Sequence, residues 1–172
     1  MITPFSVKPK AQNKLSLYVA AVCLVLAIVA IAVYTFIPMY KGIVGVIALV
    51  FITAAIFIYN KYICASYCYD VTFNSSGEPV LAVRKIVGKR ETTMCHVGIE
   101  AIINVRKLSR EERRSYKSDA GVVRYSYCPT MLPDSVYLVT VRCAYEKADL
   151  FLELNDEIAA LILQYAREYN SL

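Results

Sequence analysis

Two long apolar stretches constrain the fold of this chain more than any other feature. No residue from Leu15 to Ile37 is charged, and none from Gly42 to Asn60. At about 1.5 Å per helical residue, these stretches would be roughly 34 and 28 Å long, against a bilayer hydrocarbon core of about 30 Å. A segment in lipid must satisfy its own backbone hydrogen bonds. The sequence therefore predicts two transmembrane helices, spanning residues 15–37 and 42–60.

The connection between these spans is so short that the helices must form an antiparallel hairpin, residues 15–63. The connection begins with Pro38, which ends the first helix. Three lysines precede the hairpin, whereas Lys41 alone lies in its bend, so the positive-inside rule places both chain ends in the cytoplasm. A cleaved signal peptide is disfavoured because a second apolar span follows the first. Expected interfacial anchors are Tyr18, Tyr34, Tyr40, Tyr59 and Tyr62.

The distribution of charge divides the chain in the same place. The protein is 58% hydrophobic with a mean hydropathy of +0.47, and its net charge is +5. All acidic residues follow residue 62, so that charge belongs to the N-terminal part and the rest is neutral. Nucleic-acid-binding modules usually carry a basic excess. The sequence therefore predicts a lipid bilayer as one partner and no nucleic acid.

Residues 66–172 show the patterns of a small α+β domain. "YCYDVTF" alternates as a strand, and "PVLAVRKIV" and "RETTMCHV" form a hairpin in which Gly88 provides the positive φ of a tight turn. "IEAIINVRKL" is predicted to be a strand or a short helix. "VVRYSYC", "VYLVTVRCAY" and "ADLFLEL" are three further strands, and Leu150, Leu152 and Leu154 of the last share a face.

Two helix starts are marked by capping residues. Ser109 with Glu112 forms a capping box, and Asn155 is the N-cap of a C-terminal helix. About six strands of an antiparallel sheet, covered by one amphipathic helix, is an α+β arrangement. The apolar stripe of that helix consists of Ile158, Leu161, Ile162, Tyr165, Ala166 and Tyr169.

Two spans, almost no linker, the strand "YDVTF", the hairpin "KIVGKRETT" and a helix after "LFLELNDE" resemble a known family. It comprises small two-span membrane proteins of Gram-positive bacteria with a cytoplasmic bacterial pleckstrin-homology-like (PH-like) domain. The resemblance covers nearly the whole chain and implies a cytoplasmic segment 1–14, the hairpin and a PH-like domain 66–172. Phosphoinositide-binding relatives carry bases around the first domain hairpin, but the turn here, Asn74–Gly77, has none. An inositol-phosphate pocket is therefore not implied.

The residues with reactive side chains form no recognisable catalytic or metal motif. No two cysteines have the two-residue gap typical of zinc sites. Cys64, Cys68, Cys95, Cys128 and Cys143 are therefore expected to be packed apolar thiols, with a metal site or a thiol switch as the alternative. His96 lacks a partner in any catalytic pattern and is expected to make a structural hydrogen bond from a strand. The sequence predicts no enzyme activity, no catalytic residue, no metal and no cofactor.

Basic residues are the remaining candidates for function, against the simpler interpretation of a solvated charged surface. The leading hypothesis is a membrane-anchored interaction module that docks a membrane or cytoplasmic protein. The first alternative is an anionic-lipid sensor that uses the basic hairpin. The second is a component of an oligomeric pore or transporter, suggested by small residues at Gly42, Gly45 and Ala48 that also suit a homo-oligomer. Candidate lipid or partner contacts are Arg84, Lys85, Lys89, Arg90, Arg113 and Arg114.

Overall fold

The structure, a computed structural model, describes residues 5–9, 14–36, 41–142 and 146–170. The chain divides into two compact units. One consists of Gln12–Ala65, and the other of Met1–Ala11 with Ser66–Leu172. The predicted fold class is confirmed, since two long N-terminal helices are followed by β-sheets and a C-terminal helix.

The first unit consists of two apolar helices. Helix α1 is Lys14–Phe36, and α2 is Lys41–Ile58, continued by one π-helical turn, Tyr59–Ile63. By length and composition both can cross a membrane, and only 17% and 11% of their most apolar windows are buried. The next strand begins at Ala65, directly after Cys64. The predicted bend at Pro38, Met39 and Tyr40 lies outside the described residues.

Small residues form the contact between α1 and α2. Alanines are buried at seven-residue spacing in each helix, which allows close approach of the backbones. A Cβ placed on Gly45 would lie 3.6 Å from the Tyr34 ring, whereas one on Gly42 would meet nothing within 4 Å. Two of the three residues of the predicted small-residue ridge, Gly45 and Ala48, are thus used within the hairpin itself.

The second unit contains two four-stranded sheets. The first has the order β1-β2-β3-β4, and the second β5-β7-β8-β6. A 3₁₀ turn, Ile99–Ala101, joins them, so "IEAIINVRKL" is mainly a strand. The strands are β1 Phe5–Val7, β2 Ala65–Phe73, β3 Pro79–Val87, β4 Arg90–Gly98, β5 Ile102–Ser109, β6 Val123–Ser126, β7 Ser135–Arg142 and β8 Lys147–Leu152. The helices are α3 Arg110–Ser115 and α4 Asp156–Asn170.

Two strand pairings were not expected from the sequence. Strand β1 pairs antiparallel with β2, with Val7 opposite Tyr69, although no element was predicted before the first span. Strand β6 runs parallel to β8, so the second sheet is mixed and not antiparallel throughout. The reason is that β7 lies antiparallel to β8 on its other side and separates β8 from β6 in the chain.

The central strands of the second sheet, β7 and β8, are buried on both faces. Along β7, Val139 and Val141 face the main core, whereas Val136 and Leu138 face a smaller cluster completed by Tyr116. This period-two alternation is the ordinary consequence of the pleat. The main core is closed by α4. It includes Tyr69, Leu81, Val83, Ile99, Ile102, Leu150, Leu152, Leu154, Ile158 and Ile162.

The predicted turn and caps are confirmed. Gly88 has φ +60° at the β3–β4 turn. The Ser109 hydroxyl accepts the Glu112 N–H at 3.3 Å, while the Glu112 carboxylate accepts the Ser109 N–H at 2.8 Å. Asn155 Oδ1 accepts the Ile158 N–H at 3.0 Å and starts α4. These local contacts fix where the two helices begin.

Candidate interaction surfaces

Arg84, the first base of the β3–β4 hairpin, belongs to an internal ion-pair network. Its Nε lies 2.5 Å from Asp70 Oδ2 on β2, and its Nη1 lies 2.9 Å from Glu91 Oε2. Asp70 is buried, so its charge requires this partner. Burial alone would raise the pKa of the Asp70 carboxyl, but hydrogen bonds from Arg84, Ser6 and Cys68 outweigh it and lower that pKa. The geometry gives Arg84 a structural role, and its role as an external contact stays a prediction.

The other three bases of this hairpin are arranged differently. Lys89 and Arg90 are exposed at the turn, and Lys85 is half-buried below them. None of these three takes part in the ion pairs formed among the described residues. We call Lys85, Lys89 and Arg90 the hairpin tip. It presents three cations that form no ion pair with any acid in the described part of the chain.

Three arginines of α3 line one wall of a cavity. Arg110, Arg113 and Arg114 occupy positions i, i+3 and i+4, and therefore share a face of the helix. We call these residues the α3 arginine face. The cavity has a volume of about 200 Å³, and its opposite wall is the loop Met131–Pro133, in which Leu132 is 43% exposed. The site thus combines guanidinium groups with an apolar wall.

Glu112 of α3 makes its contacts away from the α3 arginine face. Glu112 is occupied by the capping box and by Arg106, whose Nη2 lies 3.1 Å from its carboxylate. Hydrogen bonds from the Ser109 backbone and hydroxyl, and from Arg106, lower the pKa of Glu112. Within the described parts of the chain, ion pairs involve Arg84, Arg106 and Lys107 and none of the three cavity arginines.

Arg113 interacts electrostatically with Glu153, but the Glu153 carboxylate already accepts hydrogen bonds from Thr130. It accepts the Thr130 N–H at 2.9 Å and the Thr130 hydroxyl at 2.8 Å. Burial raises the pKa of Glu153, against the opposing effects of Thr130 and the Arg113 charge. Because Thr130 precedes Met131, these bonds hold the loop that forms the apolar wall of the cavity.

A buried carboxylate fixes the segment after α3. Asp149 on β8 is 2% exposed. Its Oδ2 accepts the hydroxyls of Tyr116 at 2.9 Å and Ser118 at 2.8 Å, and its Oδ1 accepts the Thr140 hydroxyl at 2.9 Å. Three donors satisfy the charge without a cation. The segment that follows α3 is therefore held against the second sheet.

Arg124 on β6 extends the basic surface. Its guanidinium donates to the Ser118 hydroxyl and, at 3.1 Å, to the Tyr116 carbonyl, and it lies 5.3 Å from the Tyr116 ring centroid. Arg113 borders both the first cavity and a second one of about 220 Å³, so the two basic sites adjoin. The second cavity is lined by Arg113, Arg124, Ser126 and Phe151.

The structure therefore separates the basic residues that the sequence grouped. Arg113 and Arg114 lie together and are joined by Arg110 and Arg124, which were not among the candidate contacts. The i, i+3, i+4 spacing of the α3 arginines would have indicated Arg110. No local signal indicates Arg124, because its place depends on the pairing of β6 with β8.

The remaining polar candidates have ordinary surroundings. Cys68 and Cys128 are buried as expected, and Cys64 and Cys95 are half-buried. Cys143 lies outside the described residues. His96 is exposed on β4, and the expected structural hydrogen bond of its imidazole is not seen in the described part of the chain. Among the described residues no three His, Cys, Asp or Glu side chains group as metal ligands.

Comparison with known families gives one match. The family described as "Bacterial PH-like domain (DUF6106)" matches residues 5–169, which include β1, both apolar helices and the two sheets. Comparisons with curated proteins and with solved structures return no match. The expected PH-like domain is confirmed, while the Gram-positive source and the membrane topology stay predictions.

Proposed function

We propose, from the premise that this chain belongs to the bacterial PH-like domain family, that it is a membrane-anchored, non-enzymatic interaction module. One observation carries the proposal. The α3 arginine face lines an open cavity without an ion-pair partner among the described residues. Three like charges on one wall repel each other, and an anionic partner relieves that repulsion. Guanidinium groups also match carboxylates in bidentate geometry.

The exposed surface of the two helices supports the membrane anchor. Leu24, Val25 and Phe57 are at least half exposed, as are many of their neighbours. A water-exposed apolar surface of this extent is untenable in a soluble monomer, whereas lipid would cover it. The core helix of a soluble protein would instead be mostly buried.

The pairing of β1 with β2 supports placing both ends of the chain on the same side of the membrane. These two strands flank the helices in the chain, yet they are neighbours in one sheet. A hairpin that crosses the bilayer twice returns the chain to the side it left, which fits this pairing. The lysine excess before α1 favours the cytoplasm as that side.

The decisive experiment compares two charge-matched variants of the full-length protein in native membranes. In one, Arg110, Arg113 and Arg114 become Gln, and in the other the three residues of the hairpin tip do. Quantitative crosslinking should give a specific partner adduct that the first variant loses and the second keeps. Equal retention in both variants, or no specific adduct with the wild type, would contradict the proposal.

The hairpin tip supports a second function, orientation of the domain on anionic lipid. A base near an anionic leaflet contributes about 1 kcal/mol. The internal Asp70–Arg84–Glu91 network is acidic overall, so the hairpin as a whole contributes about 2 kcal/mol. That is too weak to recruit a soluble protein but sufficient to orient a tethered one.

This second function is tested with full-length protein in nanodiscs. Hydrogen exchange at the β3–β4 turn should slow in anionic relative to neutral lipid, and salt should remove the difference. The same exchange rate in both lipids would exclude the orienting role. The pore hypothesis gains no support, since Gly45 and Ala48 face the partner helix of the same hairpin.

A further inference from the structure

We infer that the partner docks as an extended acidic peptide segment along the free edge of β6, with its carboxylates on Arg124 and Arg113. The inference rests on the proposed function, because it names the class of partner for the same basic surface. It is carried by three features of the described residues: an unpaired strand edge, two adjoining basic cavities, and a preorganised arginine.

Strand β6 is the terminal strand of the second sheet. It pairs with β8 on one side, and no described strand pairs with its other side. All four of its residues, Val123–Ser126, are exposed. Such an edge presents a row of backbone N–H and C=O groups to which an extended peptide can add as a further strand.

The two faces of β6 differ in chemistry. Arg124 and Ser126 line the second cavity with Arg113. Val123 and Tyr125 alternate with them, are 38% and 45% exposed, and therefore lie on the opposite face. A strand added here would meet guanidinium groups on one face and apolar side chains on the other. The matching peptide alternates acidic and apolar residues.

Arg124 is held in place before any partner arrives. Its bonds to Ser118 and to the Tyr116 carbonyl fix the guanidinium, and Asp149 fixes Tyr116 and Ser118 in turn. A guanidinium that is already ordered loses less conformational entropy when it binds a carboxylate. Its remaining N–H groups can bind a carboxylate, because the Ser118 hydroxyl and the Tyr116 carbonyl that it contacts are neutral oxygens.

The observations favour a peptide over a lipid headgroup. A headgroup has no regular series of donors and acceptors to pair with a strand edge. The cavities, at about 200 and 220 Å³, are small compared with typical ligand pockets of about 300–1,000 Å³, and each suits a single side chain. Arg113 borders both, so one extended segment can reach the α3 arginine face from β6.

The test uses the full-length protein in nanodiscs of neutral lipid and a short fluorescent peptide of alternating Glu and Val. Anisotropy should show binding that the Gln–Val peptide lacks. Arg113→Gln and Arg124→Gln should each weaken it roughly tenfold or more, whereas Lys89→Gln, a charge-matched control, should leave it unchanged. Thermal unfolding confirms that each variant is folded.

Two N-methylated forms of the Glu–Val peptide test strand addition on the wild-type protein, without any substitution in the chain. In one the Glu amides are N-methylated, and in the other the Val amides are. Because alternate residues point their backbone groups to the same edge, one pattern should abolish binding and the other should retain it. Equal binding of both, or of the Gln–Val peptide, would overturn the inference.

The outcome can be separated from that of the proposed function. If the Glu–Val peptide does not bind but the crosslinked partner still requires the α3 arginine face, the edge-docking inference fails and the interaction module stands. If the same arginines instead change hydrogen exchange only in anionic nanodiscs, lipid is the ligand and both proposals for a protein partner fail.

Discussion

Arg84 of the β3–β4 hairpin and the three arginines of helix α3 differ in whether an acid lies beside them. In the hairpin, Arg84 is bound to a buried acid within the domain. On α3, the arginines face an open cavity while the helix's own Glu112 is bound elsewhere. The contrast teaches that basic residues of similar sequence context differ in whether the fold places an acid beside them.

The cause of the difference lies in the neighbouring strands. A β-bulge between Val83 and Arg84 shifts the register, and such bulges redirect side chains. Asp70 on the adjacent β2 accepts a hydrogen bond from the Arg84 guanidinium. Helix α3 instead faces a loop whose nearest residues, Met131–Pro133, carry no charge.

The largest expected effect is on stability, when Arg84 is replaced. Arg84→Gln leaves the Asp70 carboxylate buried without its cation. Because the Arg84 side chain is 35% exposed and water can partly replace it, we expect a loss of about 2 kcal/mol, near the low end for such pairs. Thermal unfolding of the full-length protein in detergent should show a midpoint lower by about 4–8 °C.

The matched control is Arg90→Gln, which removes the same charge from the exposed end of the same hairpin. We expect its midpoint to stay within about 3 °C of the wild type. Equal losses in the two variants would show that Arg84 is no more structural than Arg90, and would remove the contrast between hairpin and helix.

A smaller effect is expected in the pH dependence of stability, with opposite signs in the two regions. The pKa of Asp70 is lowered, so its contribution is present above the ordinary carboxyl pKa and is lost as pH falls through the folded value. The pKa of Glu153, beside Arg113, is raised, so its contribution is present below the ordinary pKa and is lost as pH rises through the folded value.

Unfolding midpoints measured between about pH 3 and pH 8 test these two opposite pH dependences. Relative to wild type, Asp70→Asn should be most destabilised at neutral pH and less so in acid. Glu153→Gln should improve relative to wild type as pH rises. If the stability of both variants relative to wild type changed in the same direction with pH, the pKa values of Asp70 and Glu153 would not be shifted in opposite directions.

The smallest stability effect should come from the α3 arginine face. Replacing Arg110, Arg113 and Arg114 together by Gln removes no ion pair seen among the described residues and relieves mutual repulsion. The midpoint should therefore change by less than about 3 °C. A loss as large as that of Arg84→Gln would identify these arginines as structural and end their candidacy as a docking surface.

Local patterns were sufficient to predict much of the fold. The caps at Ser109 and Asn155 and the turn at Gly88 depend on residues a few positions apart, and all three were confirmed. The alternation of Leu150, Leu152 and Leu154 identified their common core face. Such features are written in neighbouring residues and need no knowledge of tertiary contacts.

Long-range pairings were beyond the reach of the same patterns. Strand β1 has three residues and pairs with a strand beyond both apolar helices. The parallel alignment of β6 with β8, and with it the position of Arg124, depends on β7 lying between them in the chain. The role of Arg84 required knowing that Asp70 lies beside it. Of the four arginines on the candidate surface, the sequence therefore indicated Arg113 and Arg114 and missed Arg110 and Arg124.

The most direct measurement is the reactivity of individual arginines toward a dicarbonyl reagent, followed by mass spectrometry of the full-length protein in membranes. The reagent attacks the neutral guanidine, and the hydrogen bond and charge of Asp70 raise the pKa of Arg84. Arg110, Arg113 and Arg114 should react well before Arg84, and Asp70→Asn should speed the reaction of Arg84, although Glu91 still lies beside it. Arg84 reacting as fast as the α3 arginines in the wild-type protein would contradict the division between an internal and an available basic region.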